Sequence, residues 1–268
     1  MTEIPIYQVD AFASRVFAGN PAAVCPLEAW LPDAVMQAIA LENNLSETAF
    51  VVKRGEGAEY DLRWFTPAHE VDLCGHATLA TAHVLLARGE SGVRFLTRSG
   101  ELVAARRGDW IELGFPALPV REATPPPGLV EALGAAPVGV GESRFDCVVE
   151  LESEEVVRGL RPDFAALLAL DARGVIATSR GARYDFVSRC FFPKVGVDED
   201  PVTGSAHCAL APYWAERLGR SEMTGYQASA RGGVVRVRLA PDRVFLSGRA
   251  VTVLEGRLVV PPDGPSSG

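Results

Sequence analysis

The chain has 268 residues, 48% of them hydrophobic, enough to bury one large core or two modest ones. Its 34 acidic and 26 basic residues give a net charge of −8, with no basic block or interleaved aromatic stripe, which argues against a nucleic-acid partner. No run approaches membrane length, and the opening MTEIPIYQVD has neither a basic head nor an apolar core, so a soluble cytoplasmic protein without a membrane partner is expected.

Taken in chain order, YQVDAFA near residue 7 alternates as a strand does, and DAVMQAIALEN after Pro32 reads as a surface helix opened by Asp33. TAFVVK, YDLRWFT, VRFLTRS and a pair around RRGD follow as strands. GHATLATAHVLLAR, from Gly75 to about Arg88, is apolar nearly all round, which predicts a helix buried on every side. PALPVREATPPPG has no helical or strand period and reads as a linker. The chain then divides into a first half over 1–117, a linker over 118–128, a second half over 129–262 and a flexible tail over 263–268. A second all-round apolar helix runs from Gly204 to about Leu218, where Pro212 is expected to kink it or end a short first segment.

The halves share one pattern. Arg63-x-Phe65-x-Pro67 recurs as Arg189-x-Phe191-x-Pro193, 126 residues later, and Gly75-His76-Ala77 recurs as Gly204-Ser205-Ala206, 129 residues later. Agreement in order and spacing points to an internal duplication. The coarse architecture is one buried helix wrapped by twisted strands, occurring twice.

A helix N-terminus offers free N–H groups and a positive dipole end, and glycine lets a ligand approach the backbone. If the two halves bring Gly75-His76 and Gly204-Ser205 face to face, their amides form a pocket for a carboxylate. Ordinary capping by Thr203 or Ser205 explains the second start equally well. His76 sits where the dipole disfavours an imidazolium, which predicts a neutral ring, although it also fits a satisfied core group. Glu47, in NNLSETAF between a helix end and a strand, reads either as a desolvated acid with a raised pKa or as a surface glutamate; Glu199 and Asp200 carry the same ambiguity. His69, His76 and His83 fall seven apart but lack accompanying ligands, so no metal site is expected. Five scattered cysteines without a C-x-x-C predict reduced, buried thiols. With Lys53 and Lys194 the only lysines, Schiff-base chemistry has little to draw on.

VDAFASRVFAGNPAAV, NLSETAF, LCGHATLATAHVL and DEDPVTGSAHCAL, in that order, resemble the PhzF-like isomerases, relatives of the phenazine-biosynthesis enzyme with the diaminopimelate epimerase fold. The resemblance spans essentially the whole chain. It implies an α/β (α+β) protein of two pseudo-symmetric epimerase-like domains with a substrate cleft between them, and a homodimer. It also implies a cofactor-independent isomerase of a small carboxylic acid, similar to trans-2,3-dihydro-3-hydroxyanthranilate isomerase. Under it Glu47 is the acid/base, His76 and Asp200 are its catalytic companions, and Asn20, Gly75, Gly204 and Ser205 hold substrate. The epimerases of this fold use one cysteine before each helix glycine. Here the first is Cys74 and its mate is Thr203, a hydroxyl too weakly acidic for that role, so two-cysteine racemisation is not expected. An epimerase using Cys74 with another partner, or a carboxylate-binding protein without turnover, are the alternatives.

Overall fold

In the computed structural model, which describes residues 2–260, the chain forms two compact units. One takes residues up to Gly114 and again from Ser247; the other is Phe115–Leu246. The expected tail at 263–268 lies outside the described residues. No described helix is long and apolar enough to cross a membrane.

The first unit runs β1 (Thr2–Ala11), β2 (Asn20–Leu27), α1 (Asp33–Asn43), β3 (Glu47–Lys53), β4 (Glu59–Phe65), β5 (Glu70–Val71), α2 (Gly75–Ala87), β6 (Gly92–Thr97), β7 (Gly100–Arg107) and β8 (Trp110–Pro116). The second runs β9 (Arg121–Glu122), α3 (Leu129–Leu133), β10 (Gly139–Glu142), β11 (Cys147–Glu150), α4 (Glu154–Gly159), α5 (Phe164–Ala169), β12 (Val175–Arg180), β13 (Phe186–Phe192), β14 (Val197–Asp200), α6 (Gly204–Leu218), β15 (Glu222–Gln227), β16 (Gly233–Leu239) and β17 (Arg243–Gly248). The last strand, β18 (Ala250–Val260), pairs antiparallel along the length of β1. It therefore belongs to the first unit, not to a second domain ending at 262, because its backbone partners lie on β1.

The duplication extends to the strand pairings. β1–β2 and β10–β11 are antiparallel, β2–β3 and β11–β12 parallel, β3–β4 and β12–β13 antiparallel. β4–β5 and β13–β14 are antiparallel, β4–β6 and β13–β15 parallel, β6–β7 and β15–β16 antiparallel. In the first unit α2 packs against β1, β2, β3, β6, β7 and β18, and ten of its thirteen residues are buried, so the strands wrap it on all sides. Its buried Thr78 and Thr81 satisfy their hydroxyls on the Cys74 and Ala77 carbonyls of the preceding turn. The opposite face of the sheet is covered by α1, whose Val35, Met36 and Ile39 pack with Cys25, Phe50 and Phe65. In the second unit α3, α4 and α5 take that place, over Cys147, Val149 and Phe191.

Two expectations change. α6 is one continuous helix with Pro212 inside it. Pro212 has no N–H for the Cys208 carbonyl, and that carbonyl accepts instead from the Leu118 amide at 3.1 Å. The proline-rich stretch is consequently no free linker: Leu118 is tied to α6, Ala123 donates to the Val140 carbonyl, and β9 pairs with β10.

The repeated arginines do the same work in both units. Arg63 grips Glu70 of β5 through two hydrogen bonds of 2.7 Å, and Arg189 grips Glu199 of β14 at 2.7 and 2.8 Å. Each guanidinium also lies 5.1 Å from the ring of the phenylalanine two residues on, Phe65 or Phe191. The glutamates precede Gly75 and Gly204 by five residues each, so each bidentate pair sets the approach to a central helix. Glu199 is thereby a structural counter-ion. Arg189 and Glu199 side chains are only 11% and 19% exposed, so Glu199→Gln is expected to cost about 2–3 kcal/mol of unfolding free energy in urea titrations. A loss under about 0.5 kcal/mol, ordinary for a surface pair, would contradict this assignment.

Candidate functional site

α1 ends at Asn44, which takes the left-handed conformation (φ 48°), and the Asn43 side-chain Nδ2 donates to Thr48 Oγ1 at 3.0 Å. This turn delivers Glu47 as the first residue of β3. The parallel register Ala22↔Glu47 lays that strand start beside the start of β2, where Asn20 is fully buried. Cys74, the N-cap of α2, contributes no capping hydrogen bond, and His76 is the helix's second residue. Asn20, Glu47, Cys74, Gly75 and His76 thus meet from three elements at one helix start.

His76 Nε2 lies 3.0 Å from Glu47 Oε2, while its Nδ1 lies 3.3 Å from Asn20 Nδ2 and 3.5 Å from Cys74 Sγ. Burial pushes the Glu47 pKa up, but the His76 charge and hydrogen bond, with a hydrogen bond from Cys74, outweigh it and leave the carboxyl below its usual value. Burial likewise opposes the imidazolium, yet Cys74 and Glu47 together hold His76 well above the ordinary histidine value. The Cys74 thiol is pushed up by burial and by the Glu47 charge, so it stays protonated and Glu47 is the counter-charge that matters. Two expectations are corrected: Glu47 is depressed, not raised, and His76 is an imidazolium despite the helix dipole. A carboxylate 3.0 Å away outweighs roughly half an elementary charge at the helix end.

In the second unit Asp200 ends β14, and Gly204 and Ser205 open α6. The N-cap Thr203 makes no capping bond; its hydroxyl donates to Asp200 Oδ2 at 2.5 Å. Three residues that the sequence pattern did not single out hold this turn. The fully buried Gln227 accepts from the Thr203 amide at 2.8 Å and donates to the Asp200 carbonyl at 2.7 Å. His207, pushed down to about 4 by burial and hence neutral, engages the Thr203 carbonyl through Nδ1 at 2.8 Å. Arg173 forms a bidentate pair with buried Asp146, at 2.8 and 2.6 Å, and reaches Ser205 Oγ at 3.4 Å. His207 stands where Thr78 does in the first unit, each bonding the N-cap carbonyl four residues back, whereas Gln227 and Arg173 reach the turn from distant strands and loops.

Register also shows where the duplication diverged. Thr48 pairs with Phe65, and Val175 pairs with Phe191, so Gly174 occupies the place of Glu47. A Cβ at Gly174 would collide with the Phe192 ring. With Thr203 in place of Cys74 and Ser205 in place of His76, the second unit carries none of the three titratable groups of the first.

Glu47 stabilises the fold above its ordinary value of 4.5 and loses that contribution as pH falls through its depressed folded value. His76 contributes below its ordinary 6.5 and loses the contribution as pH rises through its elevated folded value. The stability gap between wild type and Glu47→Gln should therefore be widest between about pH 4.5 and 6.5 and narrow on either side. Ring NMR titration should find His76 titrating lower in the variant; an unmoved His76 would contradict the pairing.

Residues 9–256 match the profile of the phenazine biosynthesis-like protein family. An uncharacterized isomerase of Halalkalibacterium halodurans is 52% identical, covering 97% of this chain and 100% of its own. Phenazine biosynthesis-like domain-containing protein 2 of Mus musculus is 44% identical, over 96% and 99%. A crystal structure of a PhzF-family protein from Enterococcus faecalis superposes with a TM-score of 0.93 at 48% identity, covering 97% of this chain and 100% of that one. A hydroxyproline epimerase from Agrobacterium vitis, at 12% identity and a TM-score of 0.61 over 98% and 94%, shares the fold alone. With its motifs, doubled topology and family profile in agreement, the chain belongs to the phenazine biosynthesis-like (PhzF-like) family of isomerases.

Proposed function

We propose that this isomerase shifts a proton between carbons of a small cyclic or amino carboxylic acid, with Glu47 as the acid/base and no cofactor. The observation that carries the reading is the buried Glu47–His76 pair at the head of α2. Glu47 takes a proton from carbon as a carboxylate, the C–H electron pair passes into the conjugated system of the substrate acid, and the neutral carboxylic acid returns the proton to another carbon. The sequence is redox-neutral. While Glu47 is neutral the negative charge rests on the substrate, and the imidazolium still faces an anion. A carboxylate held below its usual pKa is a weak base at rest. A substrate acid that draws the His76 charge toward itself raises Glu47 to a more basic value when the substrate is bound.

The first N–H groups of a helix have no intrahelical partner, so the Gly75 and His76 amides suit the substrate carboxylate, with the buried Asn20 beside them. On the internal repeat and the family resemblance we assign Asp200 a catalytic role with Glu47 and His76, assign Gly204 and Ser205 to substrate binding, and infer a homodimeric, cytoplasmic enzyme acting on a dihydro-hydroxyanthranilate-like acid. A second reading, an epimerase using Cys74, draws on the 3.5 Å approach of its sulfur to His76. It predicts inactivation by iodoacetamide that substrate prevents. The protonated thiol and the Thr203 mate favour the first reading.

With trans-2,3-dihydro-3-hydroxyanthranilate in deuterated water, wild type should isomerise the compound and exchange its carbon-bound hydrogen. Glu47→Gln should fold yet lose about 10²–10⁴-fold in both, the range expected for a positioned acid/base. Exchange retained within threefold would end the mechanism.

A further inference from the structure

Glu47, Cys74 and His76 also make up a donor set of a second kind. A carboxylate oxygen, a thiol sulfur and a ring nitrogen, one from each residue, all lie within 4.8 Å of one another. In a tetrahedral zinc site with bonds near 2.0–2.3 Å, neighbouring donor atoms stand about 3.3–3.7 Å apart, against 3.0 Å between Glu47 Oε2 and His76 Nε2 and 3.5 Å between Cys74 Sγ and His76 Nδ1, so the imidazole turns to present one nitrogen to both. The Glu47 Oε2 and His76 Nε2 atoms are shut off from solvent and lie 3.0 Å apart. Two buried ligand atoms already in contact can share a cation placed between them in exchange for the proton they hold. Sulfur, imidazole and carboxylate together select zinc over magnesium or calcium, which take oxygen ligands.

We infer that Glu47, Cys74 and His76 form a three-ligand site for a zinc ion, with the fourth position open. Binding conserves charge in a buried place. The thiol and the imidazolium each release one proton to solvent, Glu47 is already ionised, and the two positive charges of zinc replace one proton charge on His76 and balance the new thiolate. The two anionic ligands outweigh the positive end of α2, which by itself repels a cation.

Zinc in this position occupies the carboxylate that removes the substrate proton. The inferred consequence, inhibition by zinc that a chelator reverses, rests on the reading of Glu47 given above; the site itself does not.

The test is calorimetric titration of the full chain with zinc chloride, alongside Cys74→Ser and Glu47→Gln, each checked for folding by thermal melt. Wild type should bind one zinc per chain at this site, and Cys74→Ser should bind at least about a hundredfold more weakly, since a hydroxyl seldom replaces a thiolate on zinc. Cobalt(II) added to wild type should give a thiolate-to-metal charge-transfer absorption that vanishes in Cys74→Ser, a readout that needs no activity. Lack of stoichiometric binding by wild type, or undiminished binding and absorption in Cys74→Ser, overturns the site. Stoichiometric, Cys74-dependent zinc that leaves isotope exchange untouched upholds the site and removes Glu47 from the chemistry.

Discussion

A charge pair held almost out of water, Glu47 against His76, is the constraint around which the first unit is arranged. Neither partner could stay ionised at such depth without the other, because desolvation would neutralise each in turn. The pair needs two strand starts and a helix start at one point, and each is delivered by a separate device. The left-handed turn at Asn44 delivers Glu47, the parallel β2–β3 register sets Asn20 beside it, and the Arg63–Glu70 clamp leads into Gly75.

The second unit shows what the same scaffold does without that pair. Its strands pair in the same order and its Arg189–Glu199 clamp has the same geometry, yet the acid's place is taken by a glycine on which the Phe192 ring closes. The α6 start is held instead by hydrogen bonds to Gln227, His207 and the Asp200 carboxylate. At the three matched positions one copy keeps a glutamate, a cysteine and a histidine, and the other keeps a glycine, a threonine and a serine. A single acid/base is what a proton shift along one molecule needs, whereas inversion at one carbon needs two.

Charge state follows from this arrangement more than from local rules. At a helix start the dipole alone would keep His76 neutral, and burial alone would raise Glu47. Both single-residue arguments have the right sign for an isolated group. Each is reversed by a partner that lies 29 residues away along the chain.

Much of the fold was legible in the sequence because it rests on short-range patterns. Alternation marked β1, β3, β4 and β6, all-round apolarity marked α2 and α6, and the Arg-x-Phe-x-Pro repeat exposed the duplication. The motifs also named Asn20, Glu47 and His76 in a chain where none is adjacent to another. What the sequence could not supply were properties of non-local pairing. The return of β18 to β1, the Leu118 amide on the carbonyl freed by Pro212, and the roles of Gln227 and Arg173 all depend on contacts between distant segments. Residue type and spacing determine which groups are available and on which element each sits. Only the tertiary structure decides which of them share a dry space, and hence which are charged, because the energy of a buried ion is set by its neighbours in space.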